Sequence, residues 1–439
     1  RDDATAAALA ELREAAGALP SPEAPVPPAE LPAYIHAQNL VEADVVFQPD
    51  GPETHLDLLA EAYRIEPGDT DVLAAYAQYL TLLGLPGVAA DLLWARVEAD
   101  PGHREQSMLL GTVLLHKADA DDLSRLAALV APVDRAQAHW YRAHLAVTQG
   151  QWADCVRECE AIVTLDDSAL NTRRMWAAAA VELGDFETAQ RVWTELLDRV
   201  DPGEDADEAR RAQSSDHWGL IVAATANGDW AAVRERCAFL GIGLATAEGP
   251  VDERWHPVEL RHQGPEGRFA VYAVRTGPAT AVVEAVTGPE SPFNYGDLVV
   301  VDPTPLEEPP EDPERQETWH PSYAVVTVLQ PGGYLPYVID GVDPGERFGA
   351  FSEALRERGF GLWIYSGEEY LLTPPGASEP VPGVFAGIAV PPGVGAAEAG
   401  ALLTELTAGW PHPLAWLDLA EAAGEDPAPH LKIIADYGL

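Results

Sequence analysis

The sequence predicts a multidomain chain: an N-terminal all-α solenoid of stacked helical hairpins followed by a C-terminal α+β region. Three observations predict it. Turn glycines recur near a 34-residue period through the first half. A second mark keeps the same step, because Pro67 and Pro101 are 34 residues apart, each preceded by an acid and followed by glycine. From about residue 248, helical periodicity gives way to short runs of β-branched and aromatic residues broken by Gly and Pro.

In chain order, residues 1–32 form a leading segment. Residues 1–19 read as an Ala-rich helix that caps the array or else hangs free of it, and the prolines of 20–32 as a stiff extended linker. The repeat domain is expected over residues 33–248. A unit at 36–69 fits by length and turns at "FQPDGPE". Gly84, Gly150, Gly184 and Gly228 each close one helix and open a turn, and Trp152, Phe186 and Trp230 stand two residues after three of them. One step of 34 from Gly84 reaches Ala118 beside Asp119, so a copy of the turn without glycine is expected there. The 44 residues from Gly184 to Gly228 place a ten-residue insertion around "DRVDPGEDADEARRAQ". Units then run near 70–103, 104–135, 136–169, 170–213 and 214–247. One such helix pair is too small to bury its apolar face, and stacking pairs makes a continuous core. Ala89 and Ala189, five residues after their turn glycines, let the two helices of a hairpin approach closely.

The stretches "GLPGVAADLLWARVEADPGH", "GQWADCVRECEAIVTLDD" and "GDFETAQRVWTELLDRVDP" resemble the tetratricopeptide repeat (TPR) family. The resemblance covers the N-terminal half only. It departs from the family pattern at Asp167, where proline is usual, and near residue 118, which lacks the turn glycine. In that family the first helices of successive hairpins line a concave groove that holds a partner segment. The resemblance therefore places Gln78, Met108, His116, Trp140, His144, Asn171, Arg174 and Trp218 at a partner-binding groove. Trp140 and Trp218 are equally suited to packing between hairpins, and His144 to a satisfied place on its helix. Family members that grip chaperone tails carry a Lys/Asn/Asn/Lys/Arg set. Here only Asn171, Arg173 and Arg174 cluster, so that specificity is not expected.

The C-terminal half divides, by composition, into a β-rich subdomain over 249–302, an acidic Pro-rich linker over 303–318, and an α+β subdomain with C-terminal helices over 319–439. "RFAVYAVRT", "TAVVEAVTG" and "DLVVVDP" are strands by their β-branched and aromatic content. "YAVVTVLQ" and "GYLPYVIDG" form a hairpin about Pro331-Gly332-Gly333, "GERFGAFSEALRERGF" an amphipathic helix, and "GLWIYSG" and "VFAGIAV" further strands. Trp255-His256-Pro257 recurs as Trp319-His320-Pro321, an echo that a duplicated β-rich unit or chance would explain. Such a strand and helix order suits small α+β layers.

Charge excludes some functions. The chain of 439 residues has 27 basic and 71 acidic residues, a net charge of −44. Neither a nucleic-acid backbone nor an anionic membrane is an expected partner. The acidity serves solubility, or else offers a surface to basic partners. Three cysteines, Cys155, Cys159 and Cys237, fit buried packing in a reducing compartment better than a disulfide framework or a metal site. No run approaches the length of a membrane span, and a cytoplasmic location is expected. Phosphate-binding, zinc-protease, Cys-x-x-Cys and nucleophile-elbow motifs are missing, so no catalytic, cofactor or metal residue is assigned. "GIGLAT" at Gly241 follows a helix and reads as a helix-end turn. Tyr295 and Asp297 read as structural punctuation of a turn. The function expected is a protein–protein interaction adaptor. The alternative is an enzyme in the C-terminal region, with His256 or His320 beside a carboxylate and the repeats recruiting substrate.

Overall fold

The computed structural model describes residues 52–200, 213–264, 267–288, 291–316 and 319–439. The leading helix, the linker, the first helix of the 36–69 unit and most of the insertion lie outside these residues. The chain forms two compact units, Arg1–Leu183 with Asp198–Val200, and Gly184–Leu197 with Asp201–Leu439.

The first unit is helical. α1 (Pro52–Ile65) precedes three hairpins: α2 (Thr70–Leu82) with α3 (Pro86–Ala99), α4 (Arg104–Lys117) with α5 (Ala120–Val130), and α6 (Arg135–Thr148) with α7 (Trp152–Leu165). α8 (Leu170–Glu182) follows. The turns hold what the spacing demands. Gly84 and Gly150 adopt φ of +78° and +66°, left-handed values that glycine takes without strain. Ala118 takes the same place with φ +55° and closes α4 with backbone bonds to Leu114 and Leu115 carbonyls. A Cβ in that region costs about 1 kcal/mol. Ala118→Gly is therefore expected to raise stability by about 0.5–1 kcal/mol, read as a higher midpoint in thermal unfolding.

Aspartates cap several helices. Asp69 accepts from the amides of Asp71 and Val72, Asp119 from Asp122, and Asp134 from Gln137. Each satisfies donors that a helix start leaves open and complements the positive end of its dipole. Part of the chain's acidity thus has a local structural use. The core of this unit runs continuously from Leu56 to Tyr141. α2 touches α4, and α4 touches α6, so first helices lie side by side. Gly111 makes the second of these contacts possible, since a Cβ there would stand 2.3 Å from Cε1 of Tyr141. Ser107 and Gln137 lie in the same seam, with Gln137 Nε2 donating to Ser107 Oγ at 3.0 Å and to the Tyr141 hydroxyl at 2.5 Å.

The second unit begins with α9 (Phe186–Leu197), α10 (Ser214–Ala226) and α11 (Trp230–Phe239). Gly184 and Gly228 are again left-handed, at +72° and +71°. Five strands then form a closed barrel in the order β1-β2-β3-β4-β5: β1 (His256–Gly264), β2 (Gly267–Arg275), β3 (Thr280–Val283), β4 (Leu298–Val301) and β5 (Ser322–Gln330). Neighbours are antiparallel except at the closure, where β5 runs parallel to β1 with Leu260 opposite Tyr323. Alternate residues fill the interior, among them Val258, Leu260, Val271, Ala273, Val299 and Val301.

This closure corrects the expected division. Residues 303–318 do not separate two subdomains; they lie in an excursion between β4 and β5, adjacent strands of one barrel. The Trp-His-Pro echo also has a different meaning. Its two copies enter β1 and β5, parallel neighbours of that same barrel, not equivalent places in two subdomains.

Residues after the barrel form a second α+β layer. β6 (Leu335–Val342), α12 (Glu346–Glu357), β7 (Gly361–Ile364), β9 (Val381–Val390), α13 (Ala396–Leu406) and β10 (Leu414–Ala415) make an antiparallel sheet ordered β10-β6-β9-β7, and the short β8 (Leu371–Leu372) pairs with β9. A β-α-β-β-α-β chain with that strand order is the split-βαβ, ferredoxin-like arrangement. α14 (Leu417–Ala423) and α15 (Ala428–Tyr437) complete it. One sheet face packs on the helices through Ile339, Phe351, Leu355, Ile388 and Leu403.

One latch between the two parts of this unit lies in the turn before β4. Asp297, in the turn before β4, accepts from the Asn294 amide through Oδ2 at 2.8 Å and from the Gly332 amide through Oδ1 at 2.7 Å. A Cβ on Gly332 would lie 2.5 Å from the Gly296 backbone. The Tyr295 ring stands edge-on to Tyr334 at 4.9 Å.

Candidate functional site

The left-handed turn residue gives a common origin for comparing hairpins. Met108, Trp140, Arg174 and Trp218 each stand ten residues before it. Gln78 and His144 stand six before it, His116 two before. Steps of four keep these positions on one stripe of each first helix. In the first unit the stripe runs Ala74, Gln78 and Leu82 on α2; Met108, Thr112 and His116 on α4; Trp140, His144 and Thr148 on α6; and Arg174, Ala178 and Glu182 on α8. On α4 the buried side is instead Ser107, Leu110, Gly111, Val113 and Leu114, so the stripe looks away from the core.

The open positions of the stripe include two large apolar side chains. Leu82 is 53% exposed and Met108 42%. Trp140 is half-buried, packed against the core on one side and on the His144 ring at 4.1 Å. Burial pushes the His144 imidazole below its ordinary pKa, so it presents a neutral ring. His116 is exposed, with Nδ1 3.0 Å from the Thr112 carbonyl. Gln78 is exposed. Asn171 stands at the start of α8, and its Oδ1 accepts from Arg174 Nη1 at 2.7 Å. Arg173, two positions on, is not a surface cation: it is 1% exposed and donates to the Asp167 carbonyl at 2.6 Å and to Asp167 Oδ1 at 2.5 Å.

Trp218 differs. It packs with the apolar cluster in which Ile221 and Val222 of α10 meet Val300 of β4 and Ala279. The barrel packs on α10 over the stripe that is open on α4. Trp218, half-buried like Trp140, packs within the second unit. The covering strand β4, with Val300, comes 82 residues after Trp218, and nothing local in α10 marks it.

Charge is sorted between the helix layers of the first unit. α2, α4, α6 and α8 carry three acids (Asp71, Glu105, Glu182) and six Lys or Arg. α3, α5 and α7 carry seven acids and three arginines. In a chain of net charge −44, α2, α4, α6 and α8 are together net positive by three, one of those charges being the buried Arg173, and α3, α5 and α7 are net negative by four. This pattern was missed in the sequence because the whole-chain sum hides it.

Among the described residues His256 and His320 stand in different surroundings. His256 is half-buried at the start of β1; burial, then the charges of Arg275 and His320, hold its imidazole below the ordinary range. His320 is exposed and meets the Tyr272 ring edge-on at 6.1 Å. Among the described residues neither has a carboxylate hydrogen-bond partner, and no cluster of three His, Cys, Asp or Glu could hold a metal ion. Arg275 is buried between Trp255 and Tyr323, and it donates to the Tyr323 hydroxyl at 2.8 Å and the Gly277 carbonyl at 3.1 Å. It fastens the β2–β3 turn to the barrel closure. Cys155, Cys159 and Cys237 are free and buried. Among the described residues no helix is long and apolar enough to cross a membrane.

No family model matches the chain, and no curated protein matches it. Among solved structures, MamA from Desulfovibrio magneticus RS-1 (residue 41 to the end) is 21% identical, with 40% of this chain and 96% of that one covered and a TM-score of 0.31. The pilF protein of Pseudomonas aeruginosa is 14% identical, covering 48% and 91%, with a TM-score of 0.35. A thermophilic TPR protein of Thermus thermophilus is 17% identical, covering 43% and 96%, with a TM-score of 0.31. The repeat geometry of the chain itself, with left-handed turn residues at Gly84, Ala118, Gly150, Gly184 and Gly228, makes its N-terminal half a TPR-like region of helical hairpins.

Proposed function

We propose that the chain is an interaction adaptor whose first-helix stripe on α2, α4, α6 and α8 holds a segment of a partner protein. The segment would lie against Gln78, Met108, His116, Trp140, His144, Asn171 and Arg174. The observation that carries this reading is the sorting of charge. Solubility is served by the acidic second-helix layer, while the first-helix layer keeps open apolar side chains and a small positive excess. Such a surface suits a segment with apolar anchors and neutral or acidic character. Met108 and Met175, the only methionines in the chain, both lie on first helices, and methionine adapts its shape to a guest. Trp140 and Arg174 are of the types that most often dominate binding energy.

The test is capture of the partner by the full chain and by two variants. Met108→Glu and Trp140→Ala are each expected to weaken binding by about tenfold or more, the loss of one anchor of roughly 1.4–2 kcal/mol. Helical content should be unchanged for Met108→Glu, since that side chain is outside the core. Undiminished binding by both variants would remove the reading.

A further inference from the structure

The ferredoxin-like sheet has a second face, and part of it is bare. Towards β7 that face meets the barrel. Trp363 stacks on Tyr272 at 5.5 Å, and the Tyr365 hydroxyl donates to the Val286 carbonyl. Towards β6 it is only partly covered, by Tyr370 over Gly383 and Asp340. Val338 is 37% exposed and Phe385 36%, and the Phe385 ring lies 5.3 Å from Tyr365 and 6.5 Å from Tyr370. Asp340 sits opposite Phe385 in the β6–β9 register, so its carboxylate rises from this same face. The face continues into a cavity of about 330 Å³ between the sheet and the last two helices, where Asp418 and Glu421 join Asp340 beside Leu417 and Ile434.

An aromatic sheet face with an apolar cavity at its edge can stack a flat group or take a side chain. Its charge selects which. Residues 335–439 contain 15 acids and four bases, and among the described residues no Lys or Arg lines the cavity. A phosphate backbone would be repelled. A guanidinium or ammonium would stack on the aromatic rings and meet carboxylates that have no cation beside them. Asp340 is held by the Tyr370 hydroxyl at 2.7 Å, and Asp418 by the Val338 amide at 2.9 Å. These bonds fix both carboxylates at the cavity mouth. Burial pushes both carboxyls above their ordinary pKa, the condition that a bound cation would relieve.

We infer that this open face, from Phe385 and Tyr365 across Val338 to Asp340 and Asp418, is a docking surface for a basic segment of another protein, with Arg or Lys alternating with apolar side chains. The proposal is independent of the helical stripe, which suits segments of the opposite charge. It supplies the other half of an adaptor: two surfaces, two chemistries.

The probe is an acetylated, amidated octapeptide alternating Arg and Leu, titrated into the full chain at about 150 mM salt, where long-range attraction to the acidic chain is largely screened. Asp340→Asn with Asp418→Asn, and separately Phe385→Ala, should each weaken binding by about tenfold, the worth of one lost anchor or buried charge pair. Glu308→Gln with Glu311→Gln, which removes two exposed acids elsewhere, should change it less than about twofold. Phe385→Ala keeps both carboxylates, so loss there cannot be a charge effect. Equal loss in the Asp and Glu pairs would mean diffuse attraction to an acidic chain and would overturn the proposal. So would tighter binding of single-stranded RNA than of the peptide. Sedimentation showing a dimer that Phe385→Ala dissociates would also overturn it, because a second copy would then own the face.

Discussion

Replacing Asp297 with alanine is expected to cost the second unit about 3 kcal/mol or more. Asp297 is 9% exposed, and its two oxygens each accept one backbone amide, from Asn294 and Gly332. A hydrogen bond to a charged group is worth about 1.5–3 kcal/mol, and the alanine leaves two amides to find new acceptors in a crowded place. The crowding is specific, because Gly332 lies so close to Gly296 that no side chain fits between them. The loss should appear in chemical unfolding followed by the tryptophans of the barrel and sheet. Asp297→Asn, which keeps one acceptor oxygen, should lose less. Asp302→Ala, which removes an exposed turn carboxylate bonded to the Thr304 amide, should lose no more than about 1 kcal/mol. Equal behaviour of Asp297→Ala and Asp302→Ala would show that the latch is not a place where the two parts of the unit are joined.

The second large effect depends on pH. His217 on α10 is 2% exposed, stacks on Phe239 at 4.0 Å, and has no hydrogen-bond partner for Nδ1 among the described residues. Burial first, and the charge of Arg236 second, lower its pKa to about 4, against the weaker opposing pull of Asp216. The unfolded value is near 6.5. Above pH 6.5 the ring is neutral in both states and the stability is whole. Between 6.5 and 4 the unfolded chain takes up a proton that the folded chain refuses, so stability falls as pH falls. The loss approaches about 3 kcal/mol near pH 4. His217→Phe keeps a ring against Phe239 and cannot titrate. Its stability relative to the wild-type chain is expected to rise from pH 7 to pH 4.5 in urea unfolding. A difference that stays constant over that range would contradict the assignment.

The parts of this fold that the sequence discloses are those whose causes are local. Gly150 and Gly184 mark their turns because only a left-handed residue closes the helix there, and the 34-residue step locates Ala118 even though alanine is strained in that conformation. Strand runs such as 298–301 show themselves by β-branched content. Pairing over distance does not. β4 and β5 join across twenty residues rich in Pro and Glu, which carry every mark of a linker, so composition divides the barrel where it closes. The β10 strand has two residues, too few for any pattern, yet it completes the sheet order. The candidate site divides in the same way. Met108 and Trp140 follow from helical spacing, whereas Trp218 has the same spacing and is covered by a part of the chain that spacing cannot see. The acidic total was plain, but its sorting between helix layers needed the layers first.

We propose that a guest chain lies on the first-helix stripe. Residue-specific photo-crosslinking tests it most directly. A photoreactive residue is placed at Met108 in one chain and at Leu165, an exposed position at the end of α7, in another. A discrete crosslinked partner is expected from position 108, competed away by Trp140-bearing wild-type chain, and none from position 165. Crosslinking to the same partner from position 165 alone would place the guest on the second-helix layer and rule out the stripe.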